Sequence, residues 1–280
     1  MGIRRIGLAL AAVALLAGLA APANAAALSA GVYVNSNDFT SYCNASSTAP
    51  ATSRAQALNG FANLGYSVTR DYYGASFTRS TFLSTFPSLW AVYVHSHGDT
   101  YFSGTWPAKN AAFRQDPGVG HCSTNSDLIY SSSIKAAAAP PYNIVIMSTC
   151  KLGQDGRVKK WTGPYSYVEM GYNLPENTMP QAFGFVMDSS MSYSQNESTP
   201  HFYLGYNYYT VDSSQVLFEA RFWTYASVRD YTGLTHTLAQ SFAYAKAFSD
   251  YENVWELVHP EEIVAYNPFS PVWYGNGSIK

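Results

Sequence analysis

His97 and Cys150 are the residues of this 280-residue chain whose types and setting could do chemistry together. Trp90-Ala91-Val92-Tyr93-Val94-His95-Ser96-His97-Gly98-Asp99 is an apolar run that ends in His-Gly. Asn143-Ile144-Val145-Ile146-Met147-Ser148-Thr149-Cys150 is a second apolar run, and it ends in Cys. An imidazole carries protons near neutral pH, and a deprotonated thiol is a nucleophile. Brought to one place, the two form the minimal machinery of a cysteine peptidase. The Cys150 thiolate would attack a peptide carbonyl, His97 would protonate the leaving amine, and water would hydrolyse the thioester. Gly98 would let a carbonyl approach the backbone closely and offer its N–H to an oxyanion, with the Cys150 amide as second donor.

Both runs read as buried strands, and the rest of the chain supplies a frame for them. Ala30 to Asn35 reads as a first strand and Ser67 to Tyr73 as a second. Between them Ser53 to Leu64 has apolar residues at helical spacing and stops at Gly65, a C-cap. Thr78 to Phe86 reads as a short helix closed by Pro87. Residues 99–127 read as a long loop broken by Gly104, Pro107, Pro117, Gly118 and Gly120. Asp127 to Ala138 reads as a modest helix and 153–180 as another breaker-rich stretch. Gln181 to Met187 reads as a fifth strand, Val211 to Val228 and Leu234 to Phe248 as helices, and Glu262 to Tyr266 as a last strand.

Strands that alternate with helices predict one α/β domain: a three-layer sandwich whose mostly parallel sheet has helices on both faces. In a parallel sheet the C-terminal strand ends share one edge, where ligands bind. His97 and Cys150 would project from that edge. The 52 residues between them suit a right-handed crossover.

Composition sets the setting. Arg4 and Arg5, the apolar stretch Ile6 to Leu19 and Ala23-Asn24-Ala25 make residues 1–25 a secretory signal peptide, so that 26–280 is the mature domain. Removing it takes the balance from 16 basic against 18 acidic residues to 14 against 18, a net charge of −4. With 12% charged residues and 23 Tyr, nothing points to nucleic acid, and the exported chain is expected to be free of the membrane. Cys43, Cys122 and Cys150 leave one thiol over in an oxidising compartment, with three pairings open.

The two blocks Val92-Tyr93-Val94-His95-Ser96-His97-Gly98 and Ile144-Val145-Ile146-Met147-Ser148-Thr149-Cys150 resemble those of the caspase-like (clan CD) cysteine peptidases, the group of legumains, gingipains, clostripain and caspases. His97-Gly98-Asp99-Thr100-Tyr101-Phe102-Ser103-Gly104 is similar to the legumain form. Further on, Pro180 to Phe185 resembles the fifth strand of the bacterial members, Thr232 to Phe242 their helix opening, and Ile263 to Pro268 their last strand. The resemblance implies a caspase-like sheet of about six strands and an endopeptidase with peptide or protein substrates and no cofactor or metal. It also implies that the first strand lies beside the His-bearing one. That brings Cys43 and Cys122 to one edge, as a disulfide, and leaves Cys150 free.

Asp99, Asp155 and Asp188 each follow an expected strand and could line a pocket for a basic side chain. Two other readings compete. His95-Ser96-His97-Gly98-Asp99 has the spacing of a zinc hydrolase motif, in which His95, His97 and Asp99 would bind metal. A catalytically inactive, Tyr-rich secreted binding module on the same fold is the other.

Overall fold

The computed structural model describes residues 28–43, 47–102, 109–139, 141–150, 152, 157–163, 166–173, 178–185, 201–206, 212–229, 231–258, 271–275 and 277–279. The signal-peptide reading, Asp155, Asp188 and the strand expected at Glu262 to Tyr266 lie outside them. In chain order the elements are β1 (Ser29–Val34), α1 (Ala49–Asn63), β2 (Ser67–Tyr73), α2 (Arg79–Thr85), β3 (Ala91–His95), β4 (Gly98–Phe102), β5 (Lys109–Arg114) and β6 (Leu128–Tyr130). There follow α3 (Ser131–Ala137), β7 (Ile144–Ser148), β8 (Arg157–Gly163), β9 (Ser166–Asn173), α4 (Met179–Ala182), β10 (Phe202–Tyr206), α5 (Asp212–Ser227), α6 (Leu238–Val258) and β11 (Pro271–Gly275).

Six strands form the main sheet, in the order β11-β10-β7-β3-β1-β2. All neighbours run parallel except β11, which is antiparallel to β10. This is the mostly parallel, six-stranded sheet that the sequence predicts, with β1 beside the His-bearing β3. Every residue of β3, β7 and β10 is buried. That is why these segments read as continuous apolar runs rather than alternating ones: helices cover both faces.

Period-two alternation still decides which side chain meets which layer. Ala91 and Tyr93 of β3, Ile144 and Ile146 of β7, and Phe202, Leu204 and Tyr206 of β10 pack with Phe61 of α1, Phe218 and Phe222 of α5, and Phe242 of α6. Val92, Val94, Val145, Met147 and Tyr203 face the other way, onto Phe82 of α2, Ile134 of α3, Met179 and Ala182 of α4, and Phe113 of β5. His95 and Ser148 continue the first of these two series, so both point toward the α1–α5–α6 layer.

Helix ends follow local chemistry. Pro50 sits in the first turn of α1, where its missing N–H costs nothing. Gly65, at φ 82°, takes the left-handed turn just past its end. Thr78 caps α2, its side chain accepting from the Thr81 amide and Thr81 answering at the Thr78 amide.

Three expectations need correction. Residues 99–127 are not one long loop: β4, β5 and β6 form a three-stranded antiparallel sheet there, and its Phe113 and Ile129 complete the core. Pro117, Gly118 and Gly120 mark its connections rather than its whole length. The helix expected over Asp127 to Ala138 starts only at Ser131, because Leu128–Tyr130 pairs with β5 first. The strand expected from Gln181 is a helical turn over Met179–Ala182, favoured by Pro180 in its first turn; the fifth sheet strand is Phe202–Tyr206. The breaker-rich 153–180 also contains a hairpin of β8 and β9.

Among the described residues no helix is long and apolar enough to cross a membrane. Cys43 and Cys122 form a disulfide with Cα atoms 5.5 Å apart, and Cys150 is in no disulfide.

Candidate active site

β3 and β7 are parallel neighbours, and their last residues, His95 and Ser148, are register partners. His97 and Cys150 each lie two residues beyond that pair. The Ser96 amide still donates to the Ser148 carbonyl, 3.3 Å away, so the two chains remain joined just past the sheet. There they separate in conformation. On the Cys side, the Thr149 amide turns back to the Met147 carbonyl at 2.8 Å, closing the strand. On the His side, the chain bends at Ser96 and enters β4 at Gly98.

Gly98 is where the two segments touch. A Cβ built on it would lie 2.7 Å from the Cys150 carbonyl oxygen and 3.0 Å from both Thr149 Cβ and Leu152 Cγ. Only glycine allows backbone to approach backbone that closely. Gly98 opposes Phe113 in the β4–β5 ladder, and the Arg114 amide donates to the His97 carbonyl at 3.0 Å. That bond flanks the pair, so Gly98 and Phe113 form a non-hydrogen-bonded pair and the Gly98 N–H is not used on β5. The Ser96 hydroxyl donates to the Arg114 carbonyl at 2.6 Å and holds the His segment to β5 from its other side. Tyr203 of β10 donates its hydroxyl to the Leu152 carbonyl at 2.5 Å, anchoring the chain just past Cys150.

The ring of His97 lies against Phe39, with centroids 4.3 Å apart and planes 16° from parallel. Phe39 belongs to a 3-10 turn, Asn37–Phe39, that leaves the end of β1. Several bonds fix that turn. The Asp116 carboxylate accepts from the Ser36 and Asn37 amides at 2.8 and 3.0 Å. Asp38 accepts from the Ser123 amide at 2.7 Å, next to Cys122 of the disulfide. The disulfide, the Asp38 and Asp116 bonds and the Phe39 ring thus form one buttress behind His97.

His95 is different in kind. It is wholly buried, its Nδ1 is 3.0 Å from the Ser148 hydroxyl, and its Nε2 is buried with no hydrogen-bond partner. Burial, assisted by the neighbouring His97, lowers its pKa to about 3, so it is neutral across the physiological range. A histidine held so neither delivers nor removes protons near pH 7. This separates His95 from His97, which is half-buried at the sheet edge.

Asp99 is the second residue of β4, opposite Ala112. Among the described residues no three His, Cys, Asp or Glu side chains come together as a metal would require.

Below the site, Glu219 of α5 is fully buried. It accepts from the Tyr93 hydroxyl at 2.6 Å and from the Tyr206 hydroxyl at 3.0 Å, one on each carboxylate oxygen. Desolvation raises its pKa, while hydrogen bonds from Ser148, Tyr93 and Tyr206 oppose that rise. Phe39, Ser148, Tyr206 and Glu219 escaped the reading of the sequence as site residues. The available signal was an acid in the middle of Val216-Leu217-Phe218-Glu219-Ala220-Arg221-Phe222-Trp223, one helical turn from Gln215 and Phe222 on a core-facing side.

The chain is thus an α/β protein whose six-stranded, mostly parallel sheet brings a histidine segment and a cysteine segment to one edge. No family model matches the chain, and no curated protein matches it by sequence. Among solved structures it is similar to gingipain R, an Arg-specific cysteine proteinase. Identity is 10% and the TM-score 0.49, over 90% of this chain and 46% of that one, so the chain spans about half the length of that protein.

Proposed function

We propose that the protein is a secreted cysteine endopeptidase that cuts peptide bonds with His97 and Cys150. The observation that carries this reading is the contact between Gly98 and the Thr149–Cys150 turn, at the ends of two parallel strands in register. The backbone there leaves no space for a side chain, and the His97 imidazole and the Cys150 thiol belong to the residues on either side of the contact.

In this reading the substrate carbonyl sits over Gly98, and the Cys150 thiolate adds to its carbon. The oxygen then takes up negative charge. We assign the Gly98 N–H, not used on β5, and the Cys150 N–H as its donors, and such donors act strongly where water is excluded. His97 gives its proton to the leaving amine as the C–N bond breaks. Water then attacks the thioester while His97 takes its proton, the C–S bond breaks, and the acid product leaves with Cys150 again a thiolate and His97 again protonated. Phe39 keeps the His97 ring from rotating away, an orientation effect. No cofactor is needed for these steps. Asp99, Asp155 and Asp188 remain candidates to receive a basic substrate side chain, and the mature domain is taken as 26–280.

The disulfide Cys43–Cys122 supports export, since such bonds persist in oxidising compartments. The test is the rate at which a thiol-directed electrophile labels Cys150 at neutral pH. A dyad predicts labelling faster than that of the unfolded protein's thiols and a clear loss of rate in His97→Ala. An inert Cys150 in folded protein overturns the reading and favours a binding module on this fold.

A further inference from the structure

Glu219 is a carboxylate with no exposure to solvent, and the peptidase steps above do not use it. Its partners come from three neighbouring strands. Tyr93 is on β3, four residues before His97. Ser148 ends β7, two residues before Cys150, and its hydroxyl reaches the carboxylate as well as His95. Tyr206 ends β10. In the sheet these strands lie side by side, as β10-β7-β3. One carboxylate on α5 therefore gathers the C-terminal ends of the three strands that surround the site.

The proton roles follow. The Tyr93 and Tyr206 hydroxyls each donate to one oxygen of the carboxylate. Burial and then the charge of Glu219 hold the Tyr206 hydroxyl protonated far above its ordinary range, and Cys150 is near enough to add to this.

A buried carboxylate is a poor way to gain stability, because an apolar residue in its place is often as good or better. Its use lies in specifying one arrangement, since a network with every member satisfied has few alternatives. We propose that Glu219 is the positioning residue of the His97–Cys150 pair. Through Tyr93, Ser148 and Tyr206 it sets how far the Cys-bearing strand end stands from the His-bearing one. The inference rests on the peptidase reading.

The test compares wild type, His97→Ala and Glu219→Gln by the rate of Cys150 alkylation with iodoacetamide, beside each protein's thermal melting. Glu219→Gln keeps the shape but puts an amide donor where one of the hydroxyls donates. The inference expects its folded form to alkylate about tenfold more slowly, since small misplacements of reacting groups cost this much or more. Tyr206→Phe and Ser148→Ala each remove one donor, should slow alkylation in the same direction, and decide the matter if Glu219→Gln does not fold. A merely structural role would lower the melting temperature and leave the rate of the folded protein unchanged; that result overturns the inference. If wild type itself alkylates slowly and His97→Ala changes nothing, the dyad reading fails first and the inference falls with it.

Discussion

Gly98 and Cys150 stand so close that a Cβ on the first would lie 2.7 Å from the carbonyl oxygen of the second. The requirement is spatial rather than conformational, because Gly98 is not among the glycines with positive φ. Gly98→Ala is therefore expected to push the β3–β4 junction away from the Thr149–Cys150 turn. We expect a loss of about 1–3 kcal/mol, as for other overpacked sites, and a loss of Cys150 reactivity well beyond what that destabilisation accounts for. Urea unfolding and alkylation kinetics on the same sample measure the two effects separately. Wild-type values in both would mean that the contact is dispensable.

Phe39 touches His97 face to face and is itself 3% exposed. Phe39→Leu keeps most of the volume, so the stability loss should stay below about 1.5 kcal/mol. The imidazole loses its flat support, and kcat on any cleaved peptide should fall about tenfold, equivalent to about 1.4 kcal/mol in the barrier, with KM little changed. Steady-state kinetics check this. An unaltered kcat would free Phe39 of any part in orienting His97.

His95 gives a pH signature. Its folded-state pKa is lowered from 6.5 to about 3, so the folded protein binds fewer protons than the unfolded chain. Its contribution to stability is fully present above pH 6.5 and is lost as pH falls from there toward about 3, by about 1.4 kcal/mol per pH unit within the window. His95→Asn keeps a polar atom near the Nδ1 position and removes the titration. Asp127, whose pKa is lowered, contributes with the same sign, and Glu219, whose pKa is raised, with the opposite one. The difference between wild-type and His95→Asn stability curves isolates the histidine. Parallel curves from pH 6.5 down to 3 would contradict a buried, neutral His95.

Much of this was legible in the sequence because it is local. The runs before His97 and Cys150 are strongly apolar, and β2 falls on Ser67–Tyr73 as its residue types predict. The first sheet strands alternate with helices, from which parallel order follows. What could not be read depends on contacts distant in sequence. Phe39 meets His97 only because β1 and β3 are neighbours, and Glu219 meets Tyr93 across 126 residues. The β4–β6 sheet was hidden because its glycines and prolines mark turns, and a run of breakers resembles a loop. Phe183 and Phe185 look like strand residues, but both are buried beside a helical turn that Pro180 starts.

The disulfide closes a long loop, with 79 residues separating its cysteines, and it backs the turn that carries Phe39. The double variant Cys43→Ala/Cys122→Ala should lose about 2–4 kcal/mol, chiefly through a less restricted unfolded chain. Cys150 should be labelled more slowly under conditions in which the variant stays folded, because the buttress that orients His97 loosens. Calorimetry together with labelling checks both. Stability within about 0.5 kcal/mol of wild type would show that the Asp38 and Asp116 bonds suffice without the disulfide.

The central claim is that His97 and Cys150 hydrolyse peptide bonds. The most direct measurement is cleavage of a mixed peptide library by wild type beside Cys150→Ala and His97→Ala, with products identified by mass spectrometry. The account predicts new termini after a restricted set of residues with wild type, none with Cys150→Ala and few with His97→Ala. Cleavage that survives Cys150→Ala, or no cleavage by a folded wild type whose Cys150 is reduced, would contradict it.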